Sequence, residues 1–373
     1  MSICSCHVSN YRLDGYESKV HHAAQQQIID GDMASMKRPQ PHHLNRRDWL
    51  INAALGPVLG GTAAALPALA QAADDYPNRP ISFICPWPAG GTADVSMRAI
   101  CQVAGRILKQ PIAVDNKAGA AGMIGVKALA GAKPDGYTIG QIPISVTRFA
   151  QLGTVQTNPL KDFTYLARTS GQTFGIAVPA DSRFKTLKDM VDYAKAHPGQ
   201  LTYAHAGIGG ATHVGMEEFA FAAGIQLNGI AYKGGAAALN DTLGGQVDML
   251  ADSSSWAPHV EGGKLRLLAT WGEQRTPRFN STPTLQELGF KVVVDAPNGI
   301  GAPAGLPPAV EKKLRDAFRQ AVASEEFKTV AARIDAPLMY LDGPDYKRYV
   351  GEVYKRDTAL IERLKLKELL EKG

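Results

Sequence analysis

An α/β fold in two similar-sized halves is what the sequence predicts, and three observations predict it. Short apolar runs alternate with stretches of helical period from about Ala73 onward. The turns after those runs are rich in glycine and proline. The strand–helix alternation of the first half then comes again in the second, with no Gly/Ser linker between. A chain of 373 residues, 45% hydrophobic and 20% charged, can bury cores for one or two domains. Its formal charge of +5 is spread out with no Lys/Arg block, which argues against a nucleic-acid partner.

The elements follow in order. Residues 81–85 read as a strand and 92–109 as a helix, with Met97, Ile100, Val103, Ala104, Ile107 and Leu108 at the i, i+3, i+4 positions of a buried stripe. Residues 112–116 are a second strand and 123–130 a helix. After the turn Lys133-Pro134-Asp135-Gly136, residues 137–143 are a third strand. This βαβαβ order predicts a parallel sheet covered on both faces. In the second half, strands are expected over 175–178, 201–204, 229–232, 247–251 and 265–271. Helices are expected over 187–195, 211–223 and 236–243. A strand over 299–302, a helix over 308–323 and a largely helical stretch over 343–370 complete the chain.

Residues 1–72 differ in kind. Paired arginines, Arg46 and Arg47, precede an apolar Gly/Ala-rich stretch that ends in small residues at alternate positions up to Ala72. That is the pattern of a cleaved export signal, and Asn45-Arg46-Arg47-Asp48-Trp49-Leu50 fits its twin-arginine variant. Met33 or Met36 is a better start than Met1, and Pro57 and Pro67 argue against a membrane anchor. Cys4 and Cys6 leave with the leader. Cys85, in a strand, and Cys101, in a helix, are expected as buried thiols, with a bridge between them as the alternative.

In open α/β sheets, ligands bind where strand ends lead into helix starts. Two such loops are almost bare of bulky side chains: "PAGGTAD", with Ala89, Gly90, Gly91, Thr92 and Asp94, and "AHAGIGGATH", with His205, Ala206, Gly207, Gly209, Thr212 and His213. Glycine allows close approach of backbone to ligand, and exposed N–H groups at a helix start attract an anion. Two facing helix starts therefore suit a carboxylate. Each loop alone also fits a plain tight turn. Asp94 reads equally as a first-turn carboxylate stabilising its helix, Asp252 as a loop cap, and the two histidines as backbone partners. Gly207-Ile208-Gly209 opens like a dinucleotide fingerprint, but Thr212 stands at the third glycine. No nucleophile elbow, zinc motif, phosphate loop or metal-spaced Cys/His cluster occurs, so neither metal nor cofactor is expected.

Taken together and in order, the segments "YPNRPISFICPWPAGGTADVSMRAI", "VDNKAGAAGMIGVKALAGAKPDGYTIG", "LTYAHAGIGGATHVGMEEF", "IAYKGGAAALNDTLGGQVDMLADS" and "GIGAPAGLPPAV" resemble the Bug family of extracytoplasmic solute receptors, the binding components of tripartite tricarboxylate transporters. The resemblance covers nearly all of the chain after the leader. It implies a type II periplasmic-binding fold, two α/β domains with a ligand cleft between them: 73–175 with 298–373, and 176–297. It also implies a small carboxylate as ligand, transporter membrane subunits as partners, a periplasmic location and a monomer. By matching position it adds Ser145 and Thr147, Tyr232 with Lys233 and Gly234, and Asp252 to the two loops as ligand-binding residues. Arg148 either reaches a second carboxylate or stays exposed. His205 and Gly210 stand where small hydroxyl residues are common in the family.

A non-enzymatic binding protein that closes near residues 174–177 and 296–299 and feeds a permease is the leading expectation. A ligand-binding sensor for a two-component system, and a hydrolase or lyase using Asp94, His205 and His213, are the alternatives.

Overall fold

The computed structural model describes residues 75–294 and 296–368, so the export signal read over 1–72 lies outside the described residues. The first lobe begins with β1 (Ile81–Cys85), α1 (Thr92–Leu108), β2 (Ile112–Asn116), α2 (Met123–Ala130), β3 (Thr138–Gln141), α3 (Val146–Gln151) and β4 (Phe163–Ser170). The chain then enters a second sheet with β5 (Phe174–Pro179), α4 (Leu187–Ala196), β6 (Thr202–His205), α5 (Ala211–Ala223) and β7 (Asn228–Ala231). That sheet is completed by α6 (Gly235–Leu243), β8 (Met249–Ser253), α7 (Ala257–Glu261) and β9 (Leu265–Thr270). It returns through β10 (Asn298–Pro303), α8 (Pro308–Ala323), α9 (Glu325–Arg333), β11 (Leu338–Asp342) and α10 (Gly343–Arg363).

The first sheet has the order β11-β4-β10-β3-β1-β2 and the second β7-β6-β8-β5-β9. In each, three strands run parallel as expected, β2-β1-β3 and β7-β6-β8. Beyond them the sheets are mixed: β10 and β5, the strands delivered from the opposite lobe, run antiparallel to both neighbours. A strand that arrives by a direct crossing, without a covering helix, is free to take that direction. The two sheets are thus built alike. In both, the central strand of the parallel trio, β1 or β6, feeds the helix whose start faces the other lobe.

Strand alternation places Phe83 in the core under α1 and α8, with Met97, Ile100, Leu314 and Phe318, and Ile84 in the core under α2 and α10, with Val126, Leu129 and Val350. Burial of each such side chain contributes about 1.5–3 kcal/mol. Of the expected α1 stripe, Ile107 alone turns outward, being 36% exposed. Cys85 and Cys101 are free and buried. Sequence periodicity did not reveal β4, whose "FTYLARTS" mixes apolar and polar residues, nor α3, α9 and β11, which are short. Ser324 caps α9 by accepting from the Phe327 N–H, a start signal that was legible. Among the described residues, no helix is long and apolar enough to cross a membrane.

Gly215 shows packing overruling propensity. It lies in the middle of α5, where glycine ordinarily costs about 1 kcal/mol relative to alanine. A Cβ there would meet the Trp271 ring at 2.7 Å and Val294 at 2.8 Å. Both neighbours belong to the second core, and Trp271 is itself pinned by stacking on Phe174 at 5.6 Å. Gly215→Ala is therefore expected to destabilise by about 1–3 kcal/mol, the overpacking range, instead of stabilising. Urea denaturation of the two proteins decides the sign.

Candidate functional site

A cavity of about 530 Å³ lies between the two lobes. Its walls include the starts of α1 and α5: Gly90, Gly91 and Thr92 on one side, Ala206, Gly210 and Thr212 on the other. Neither helix has a side-chain cap, and Gly91 and Gly210 hold the N-cap positions in extended conformation. The first-turn N–H groups consequently point outward without intramolecular partners from their own caps. Gly90 adopts φ +84°, Gly207 φ +136° and Gly209 φ +73°, conformations that other residues rarely tolerate. These glycines give the two loops their shape.

Several of the candidate residues act from behind the wall. Asp94 is 2% exposed and does not border the cavity. Its carboxylate accepts from the Gly90 N–H at 2.9 Å, Arg98 Nε at 3.0 Å and Asn116 Nδ2 at 2.8 Å. Burial opposes the charge, but those donors outweigh it and hold the carboxyl below its ordinary range. Asp94 thereby fixes the first loop. The second loop is fixed by histidines. The Gly207 N–H donates to His205 Nδ1 at 3.3 Å, and the Gly209 N–H to His213 Nδ1 at 3.1 Å. The two rings stack, with centroids 4.6 Å apart. Thr212 borders the cavity and accepts from the Ala206 N–H at 3.0 Å.

Ser145 and Asp252 also line the cavity. Thr147 is fully buried and contacts the Ile144 carbonyl and the Asp357 carboxylate. Arg148 neither reaches the cavity nor stays exposed: it is buried and paired with Asp357 at 3.1 Å, tying α3 to α10. Ala89 is exposed on its turn. Gly207, Tyr232, Lys233 and Gly234 border an adjoining cavity of about 370 Å³, which shares Trp87, Pro88, Ala121 and Ala206 with the first. The Tyr232 hydroxyl donates to Asp241 at 2.8 Å.

Sequence reasoning missed Trp87, Gln141, Gln172, the serine run 253–255, Arg278 and Arg333 as cavity residues. The serine run directly follows Asp252 and was visible. Arg278 and Arg333 come from distant segments, and nothing local marks them. Arg278 is already paired with Glu261, at 2.7 Å, and Arg333 is exposed. Lobe contacts cross beside the helix starts: the Ser253 hydroxyl reaches Thr92 Oγ1 at 3.3 Å. Among the described residues, no cluster of three or more His, Cys, Asp or Glu side chains could hold a metal ion.

The profile of the tripartite tricarboxylate transporter family receptors matches residues 96–366. The chain belongs to this receptor family. It is 40% identical over 324 residues to the UPF0065 protein in the gbd 5' region of Cupriavidus necator, covering 87% of this chain and 99% of that one. The periplasmic binding protein BugD is similar in structure, with a TM-score of 0.75 at 28% identity over 78% of this chain and 99% of that one. An R. palustris protein solved with adipate, Rpa4515, gives 0.74 at 25% identity over 78% and 98%. The receptor thus has the two-lobed periplasmic-binding fold that the sequence resemblance implied.

The histidine pair sets a pH dependence in the receptor. Burial foremost, then the neighbouring ring, pushes His205 down to about 3; burial, then Arg148, pushes His213 down to about 4. Both rings are neutral in the folded chain, while in the unfolded chain they protonate near 6.5. Stability is therefore complete above pH 6.5 and is lost as the pH falls from there towards 4, by at most about 1.4 kcal/mol per pH unit for each ring. His213→Gln, which keeps an acceptor, is expected to remove one proton's worth of that slope in urea titrations between pH 6.5 and 4.5.

Proposed function

We propose that this chain is a periplasmic solute receptor that closes two lobes on a small organic acid and delivers it to the membrane subunits of a tripartite transporter. One observation carries the reading: two uncapped helix starts, one from each lobe, wall the same cavity. Each such terminus favours an anion by about 0.3–1 kcal/mol, and by up to about 2 when partly buried. A carboxylate held this way needs no buried lysine or arginine, whose own desolvation would work against binding. The adipate found in a structural relative is an acid of the expected class. Asp94, His205 and His213, the groups a hydrolase or lyase would use, are spent on shaping the two loops.

The lobes pivot at two crossings. The first is 171–173, between β4 and β5, so residues 174–177 belong to a paired strand and not to the pivot. The second is 296–297, just before β10. Buried Asn298, next to the second crossing, ties it to the first, since Gln172 Nε2 donates to its Oδ1 at 3.4 Å and its own amide donates to the Gly171 carbonyl at 3.5 Å.

A thermal-shift screen of mono-, di- and aromatic carboxylates tests the reading. An acid present at a hundred times its Kd should stabilise the protein by about 2.7 kcal/mol. No shift with any carboxylate, alongside a shift with a nucleotide or a neutral sugar, refutes it. Gly91 adopts φ −73°, and a Cβ there meets nothing closer than the Pro88 carbonyl at 3.6 Å. Gly91→Val should therefore leave the ligand-free Tm within a few degrees while weakening acid binding more than tenfold by calorimetry.

A further inference from the structure

Asp252 is out of place in a cavity for anions. It lies at the end of β8, is 4% exposed, and borders the cavity together with Ser253, Ser254 and Ser255. Its carboxyl is pressed against the start of α6: a Cβ on Gly235, which is also on the cavity wall, would fall on both carboxyl oxygens. The Ser255 hydroxyl donates to Oδ2, and the Ser253 backbone assists. Among the described residues, no lysine, arginine or histidine lies within ion-pair distance of it. The charged and titratable groups around it are engaged or apart. On α1, Asp94 holds Arg98; on α6, Asp241 accepts from Tyr232, with Lys233 just before that helix; His205 ends β6 and is held neutral. His259 on α7, Arg278 with its Glu261 partner, and exposed Arg333 complete the cavity's set.

Burial pushes Asp252 up to about 6, so at neutral pH it remains largely a carboxylate, and the start of α6 favours that charge. An ionised carboxyl has about four acceptor sites, of which the serine hydroxyl and one backbone group fill two. A buried acceptor of this kind calls for a donor from whatever enters the cavity.

We propose that Asp252 selects the ligand by accepting a hydrogen bond from its hydroxyl or ammonium group, so that the preferred acid carries such a donor and is not a bare dicarboxylate. The proposal rests on the carboxylate reading above and deepens it. The ligand's carboxylate meets the helix starts while its donor meets Asp252. A bare diacid of the same length places a second negative charge, or a methylene, against that carboxyl. Sites built to bond a ligand hydroxyl or amine discriminate by up to about 10⁴–10⁵ against analogues without it.

Malate, aspartate and succinate share one four-carbon diacid skeleton and make the test, with adipate as a longer acid that has no donor. At pH 8, malate or aspartate should bind at least about a hundredfold more tightly than succinate by calorimetry. Asp252→Leu should cut that ratio below tenfold. Asp252→Asn, which keeps the size and one acceptor oxygen, should abolish a preference for the ammonium and spare part of a preference for the hydroxyl, so it separates the two donors and remains informative if the leucine variant does not fold. Succinate binding as tightly as both others overturns the proposal. So does succinate binding with uptake of one proton, measured in buffers of different ionisation enthalpy, because Asp252 would then be the donor. A preference that survives both substitutions overturns it too. Failure of all four acids to bind, while a carboxylate without a hydroxyl or ammonium group binds in the thermal-shift screen, overturns the proposal and leaves the carboxylate reading standing; failure of every carboxylate in that screen contradicts the carboxylate reading itself.

Discussion

Uncapped amide groups at the starts of α1 and α5 are the constraint on which the rest of the cleft depends. A helix ordinarily covers its first N–H groups with a serine, threonine or aspartate side chain, at a gain of about 1 kcal/mol. Here Gly91 and Gly210 stand at those positions and give no such cover. The loss is tolerable only if the loops are held by other means. The Asp94 cluster and the two buried histidines supply them. Asp94, His205 and His213, which the sequence offers as ligand contacts, are thus engaged in fixing the two loops.

The sheet topology brings these amides together. In each lobe the helix follows the central strand of a parallel trio, so both starts emerge at the carboxyl edge of a sheet, where the neighbouring connections diverge. Exchanging one antiparallel strand between the lobes keeps the edges facing each other and confines the crossings to two short segments tied together through Asn298. At the far side, the C-terminal end of the chain spans the lobes: Ile361, Leu364 and Leu366 pack on Val214, and Arg363 pairs with Glu218. The Thr92 and Ser253 hydroxyls meet across the cleft.

Much of this was legible in the sequence because period and turn chemistry are local. The strand–helix alternation, the bare loops and the glycines at positive φ all announce themselves within a few residues. β4 and β11 did not, since their strand character comes from pairing with β10 and with each other, not from an alternating pattern of their own. The same limit divides the candidate site. Gly90, Gly91, Thr92 and Thr212 border the cavity as expected, whereas Thr147 and Arg148 were drawn away by Asp357, 210 and 209 residues later in the chain. Arg278 and Arg333 reach the cavity only through tertiary folding. No spacing rule could have found them.

The most direct test of the central claim is a crystal structure of the protein with its tightest-binding carboxylate. Carboxylate oxygens within hydrogen-bond distance of first-turn amides of both α1 and α5, directly or through one water, are the predicted result. A carboxylate gripped instead by the guanidinium groups of Arg278 or Arg333, with those amides left to bulk solvent, would contradict the account.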